Sequence, residues 1–157
     1  MKKVLLIALC LFSLATTRVS AQIQIGYDKP SVQCLGVELD GSVTLRVEGY
    51  GRNRADAKEQ AMKNAVWAVI FDGVRNGVKN APIRPLVTEV NAQERYEDYF
   101  NIFFSDNGEY MTYISLKDTK KFSGSKTKDR IGYSYQLTIR VLRADLKKRL
   151  QDDNVID

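Results

Sequence analysis

Ala57, Ala61 and Ala65 recur every four residues directly after a stretch in which Val43, Leu45 and Val47 alternate with Thr44, Arg46 and Glu48. The alternation has the period of a half-buried strand, and the alanine spacing has the period of a helix. Ala68 joins the alanine face, so the helix carries a smooth ridge on which another backbone can lie close. That ridge suits packing on a sheet. Gly49-Tyr50-Gly51 supplies the turn between the two elements, and Asn53 is placed to cap the helix. The helix is expected from about Arg54 to Asp72, with Gly73 ending it.

Upstream, Lys2 and Lys3 precede an apolar run from Val4 to Ala15, and Val19-Ser20-Ala21 precedes Gln22. This is the layout of a secretory signal peptide over residues 1–21; its apolar run is too short to span a bilayer. Cys10 lies within that run, flanked by Leu9, Leu11 and Phe12, and does not form a lipoprotein signal. Cleavage would remove Lys2, Lys3 and Arg18, leaving 21 basic against 19 acidic residues and lowering the formal charge from +5 to +2. A near-neutral exported chain excludes nucleic acid as an expected partner, since that role needs a dense basic field.

The 136 residues that would remain suit one domain able to bury a core without cross-links. Only Cys34 would survive, as a partly buried thiol or as half of an intermolecular disulfide. The chain contains no histidine, which removes the commonest general base and zinc ligand, and no metal or cofactor is expected.

Residues 22–41 read as an irregular lead-in, with little fixed structure expected before about Val37. Beyond the first helix, Val74 to Val90 reads as a long connection with an extended piece around Ile83 to Thr88. A second helix is expected from Asn91, with Glu94 completing a capping box, and Asp106-Asn107-Gly108 ending it. Tyr110 to Leu116 and Ile131 to Val141 read as an antiparallel hairpin around a polar loop, and a short helix follows from about Leu142 to Leu150. Residues 152–157 read as a loose tail. The order strand, helix, helix, strand, strand, helix predicts one α+β domain over residues 42–151, a small antiparallel sheet with helices on one face.

Val47-Glu48-Gly49-Tyr50-Gly51, followed by Ala57, Ala61 and Ala65, resembles the N-terminal domain of the flagellar assembly protein T and the small bacterial outer-membrane lipoproteins that share its core. Tyr135 to Val141, leading to Leu146 and Leu150, is similar to the last strand and helix of that group. The resemblance covers about half of the chain after the signal. It implies a non-enzymatic role in the periplasm or at the outer membrane of a Gram-negative bacterium. The chain departs from the lipoproteins in lacking a lipobox cysteine.

Local motifs add no chemistry. Gly49-Tyr50-Gly51 has Arg54 where a dinucleotide fingerprint needs its third glycine. Ser123-Gly124-Ser125-Lys126 has the spacing of serine acyl-transfer enzymes but lies in a loop without their companion motifs. Glu94, Glu97 and Asp98 share one helix, so they cannot face one another across a glycosidic bond.

Two features address a partner. Tyr96, Tyr99, Phe100 and Phe103 share a helix face expected to pack against Trp67 and Phe71. The hairpin loop has a local charge of +4 from Lys117, Lys120, Lys121, Lys126, Lys128 and Arg130 against Asp118 and Asp129. The expectation is a non-catalytic interaction or assembly factor. Trp67, Tyr99 and Phe103 would supply anchors for an envelope protein or a second copy of the chain, and Lys120, Lys121, Lys126 and Lys128 an electrostatic guide. A module binding peptidoglycan or another envelope glycan is the alternative; it predicts exposed rings beside the basic loop.

Overall fold

The computed structural model describes residues 30–77, 83–120, 126–128 and 132–157. The signal-peptide reading therefore lies outside the described residues. The fold is α+β, an open antiparallel sheet with helices on one face. Strands β1 (Val32–Val37), β2 (Val43–Gly51) and β5 (Tyr133–Val141) lie side by side, and the short β3 (Ile114–Ser115) and β4 (Lys126–Lys128) share the far edge of β5. Helix α1 spans Arg54–Trp67, α2 Ala92–Arg95, α3 Glu97–Phe103 and α4 Arg143–Asp152.

Register explains why one sheet face is core. Val43, Leu45 and Val47 stand opposite Val141, Ile139 and Leu137, and all six are buried. The reverse face carries Thr44, Arg46 and Glu48 opposite Arg140, Thr138 and Gln136, as the alternation required. Ala57, Ala61 and Ala65 are fully buried against the apolar face. Asn53 caps α1 through its side-chain oxygen, which accepts from the amides of Ala55 (2.8 Å) and Asp56 (3.0 Å).

The helix continues through Ala68–Asp72 as one π turn and ends at Gly73, whose φ is 67°. The extended piece after Ile83 meets this turn: the Leu86 and Val87 amides donate to the carbonyls of Val69 (3.1 Å) and Ile70 (2.9 Å).

Four local expectations are corrected. The lead-in contains β1, whose alternation is broken by a bulge between Cys34 and Gly36. Of the expected strand from Tyr110 to Leu116, only Ile114–Ser115 pairs; Glu109–Tyr113 is a 3-10 turn that buries Tyr110 and stacks Tyr113 on Phe103 at 6.0 Å. The second helix breaks at Tyr96, and Asn91 makes no capping bond. The tail is docked: Val155 is buried, its amide donates to the Leu150 carbonyl (2.8 Å), and the Tyr96 hydroxyl donates to the Asn154 carbonyl (3.0 Å).

Candidate functional site

Because α1 lies over β2 and β5, it leaves a groove between its own flank and β1. Gln60, Asn64 and Trp67 form that flank, spaced to fall on one helix face, and Val32 and Pro30 form the opposite wall. Ala68 and Phe104 complete an apolar lining, and the open volume is about 410 Å³. Trp67 is 36% exposed. Its ring is held from behind by Phe71 at 4.5 Å and Phe104 at 5.5 Å, so the exposed part is presented in a fixed orientation.

The polar rim is positioned by its own bonds. Gln60 donates to the Asn64 side chain (2.9 Å), and Asn64 donates to the Glu48 carbonyl (3.0 Å). Lys63 reaches Asp106 at 2.8 Å and Glu59 at 3.2 Å. Burial opposes the Lys63 charge, yet these two carboxylates outweigh it and raise the ammonium pKa. Tyr110 donates to Glu59 (3.3 Å) on the inner side of the same cluster.

The other predicted anchors are drawn inward. Phe103 is 2% exposed and packs among Tyr99, Phe104 and Tyr113, so it belongs to the chain's own core and is unavailable as a surface anchor. Tyr99 is partly buried, and its hydroxyl donates to Asp153 (2.7 Å). Arg149 bridges Asp153 (3.1 Å) and Glu109 (2.8 Å), so Tyr99 helps to hold α4 in place. The expected packing of the aromatic helix face on Phe71 is present, with Phe100 at 4.8 Å.

Lys126 and Lys128 lie on β4, at register positions opposite Tyr135 and Tyr133. Lys120 ends a 3-10 turn beginning at Lys117, and Lys121 lies outside the described residues. β4 pairs β5 near its start, where β5 stands opposite Gly49 and Gly51, the end of the sheet from which α1 departs. Trp67 closes α1 at the other end, roughly 20 Å along the helix axis at about 1.5 Å per residue. The fold thus separates Trp67 from the basic strand.

Sequence reasoning missed Val32, Gln60, Asn64, Ala68 and Phe104 as groove residues. The spacing of Gln60, Asn64 and Trp67 was legible; the wall opposite them was not, because β1 had no regular alternation. Cys34 is buried, and burial raises its thiol pKa above the ordinary 9.0, which disfavours the reactive thiolate. Among the described residues no group of three or more His, Cys, Asp or Glu is placed to hold a metal ion, and no helix is long and apolar enough to cross a membrane. The chain matches no protein-family model, no curated protein and no solved structure.

Proposed function

We propose that this protein is exported to the envelope of a Gram-negative bacterium, in the periplasm or at the outer membrane, and works there as a non-catalytic interaction or assembly factor docking through the Trp67 groove. The observation that supports this reading is the placement of Trp67. A large ring is left one-third exposed (36%), braced from behind, in a concave site with an apolar floor and a few fixed polar groups. Interface anchors have this character: rigid aromatic side chains set in partly desolvated pockets. The signal-like N-terminus supports the exported compartment in this reading, and the resemblance carried by Val47 to Gly51 and the alanine ridge supports its non-enzymatic class.

The test is a photo-crosslinking amino acid at Gln60, on the groove rim, with a second at Arg46 on the reverse sheet face. Each variant is expressed in the producing cell. The reading expects one reproducible envelope protein captured from Gln60, absent from Arg46 and lost with Trp67→Ala. Capture of glycan from Gln60 would transfer the groove to the sugar-binding alternative. No capture from Gln60 would remove the docking role.

A further inference from the structure

β1 is an edge strand, and such edges present backbone donors and acceptors to whatever lies beside them. At Val32 those groups face outward. The Ser31 carbonyl accepts from the Glu48 amide (3.1 Å), Gln33 stands opposite Arg46, and Val32 lies between them opposite Val47. The alternation of an antiparallel ladder turns the N–H and C=O of such an intervening residue away from its neighbour strand. Two residues on, the equivalent N–H of Cys34 is taken by the Asn76 carbonyl (2.8 Å), and Cys34 forms a parallel bridge with Gly77.

Between Pro30–Val32 and Asp72–Asn76 the structure leaves a cleft of about 640 Å³. It shares Pro30, Val32, Ala68 and Asp72 with the Trp67 groove, so the outward backbone of Val32 and the apolar slot are parts of one concavity. Its charged groups are unequal. Lys63 is paired with Asp106 and Glu59, and Asp72 is engaged, whereas Arg75 is exposed without an ion-pair partner among the described residues.

We infer that this concavity binds an extended peptide segment of a partner protein, which adds as a strand beside Val32, seats an apolar side chain against Ala68 and Trp67, and sets a carboxylate against Arg75. This rests on the docking role proposed above for the groove. Side chains of paired residues lie on the same sheet face, so the residue added opposite Val32 points to the side on which Val32 lines the groove. A neighbouring strand supplies donor and acceptor together at the ladder spacing, the pattern by which sheet edges recognise peptides. A sugar has no matching backbone, and the exposed Arg75 cation selects an acidic segment over a basic one.

The probe is a short peptide alternating valine and glutamate, blocked at both ends, titrated into the purified protein. Amide hydrogen exchange is followed at Val32, and fluorescence reports on Trp67, the chain's one tryptophan. Saturation is expected to slow Val32 exchange roughly tenfold or more. Arg75→Glu, a change at an exposed site, should weaken the peptide by about fivefold and favour a valine–lysine peptide instead. Methylating the backbone nitrogens should abolish binding while leaving the side chains in place.

Unchanged Val32 exchange in excess peptide would overturn the inference. So would a Val32 amide already protected in the free protein, or binding indifferent to charge reversal and N-methylation. A chitin oligosaccharide that shifts Trp67 fluorescence without affecting Val32 would also overturn it. If the peptide fails while Gln60 still crosslinks an envelope protein, the docking role stands and strand addition alone is lost.

Discussion

Gly49 on β2 lies directly beneath Ala61 on α1, so closely that a Cβ at position 49 would overlap the Ala61 amide and the Ala57 carbonyl. Helix and strand here approach nearly to backbone contact, which only the pairing of glycine with an alanine ridge permits. Gly49→Ala should therefore lever α1 off the sheet and destabilise the fold by about 1–3 kcal/mol. Gly36→Ala is the control: nothing lies within 4 Å of its added Cβ, and the change should stay within about 0.5 kcal/mol. Urea unfolding of both variants decides the matter. Equal midpoints would show that the contact at Gly49 relaxes without cost.

Asn53 and Asn91 looked alike as helix starts, but only Asn53 bonds to first-turn amides. Asn53→Ala should cost about 1 kcal/mol, and Asn91→Ala a few tenths at most. Thermal melts of the two single variants separate these values. A comparable loss at Asn91 would mean that its side chain caps in solution.

The strand over Val43 to Val47, the helix after Asn53 and the closing strand and helix were legible because each carries an uninterrupted period. Val43, Leu45 and Val47 face one way, and three alanines share one helical face. β1 was hidden by its bulge, which shifts Gly36 and Val37 out of the rhythm set by Val32 and Cys34. Tyr110 and Tyr113 misled by residue type: tyrosine is common in strands and both lie close to Ile114, whereas their spacing of three would set them on opposite faces of a strand and fits the 3-10 repeat instead. The docked tail was illegible because Val155 and Ile156 are a single apolar pair among Asp152, Asp153, Asn154 and Asp157, too short to show a period; their amides both donate to the Leu150 carbonyl, a partner that is in place only once α4 has formed. Trp67 could be singled out, but the groove needed β1 as its far wall and so could not be anticipated whole.

Stability should fall on the alkaline side. Burial first, then the Asp153 carboxylate, raises the Tyr99 pKa; burial and Glu59 raise that of Tyr110; both move well above the ordinary 10.0. Lys63 is also raised from 10.5. In each case the folded chain holds a proton that the unfolded chain releases, so the folded state binds more protons and stability declines as pH rises. The contribution is complete below about pH 10 and is lost progressively above it. Tyr99→Phe/Tyr110→Phe should be less stable at neutral pH by about 1–2 kcal/mol, with a shallower decline between pH 9 and 12. Unfolding midpoints across that range provide the check; an unchanged slope would assign the alkaline loss to other groups.

Removal of Asn154 to Asp157 takes away the buried Val155, together with the carbonyl that accepts from Tyr96. Burial of a valine side chain alone is worth roughly 1.5–3 kcal/mol, so the shortened chain should lose at least that much. Val155→Ala should recover part of it, because the backbone bond from Val155 to Leu150 remains. Urea unfolding that places the shortened and full chains together would mean that the tail is not held in solution.

Trp67 and Phe103 separate docking from folding. Phe103 is 2% exposed amid Tyr99, Phe104 and Tyr113, and Phe103→Ala should cost about 3–5 kcal/mol by opening a cavity in the core. Trp67 is 36% exposed and meets Phe71 and Phe104 on one side only, so Trp67→Ala should cost roughly half as much. Partner capture from Gln60 should show the opposite order: Trp67→Ala abolishes it, whereas Phe103→Leu, which keeps the core filled, leaves it intact. A core position affects binding through the folded fraction, while a groove position affects it at full occupancy of the native state. Measuring stability and capture on the same preparations distinguishes the two. Equal capture by native Trp67→Ala and the unaltered chain would remove Trp67 as the anchor and leave its exposure unexplained.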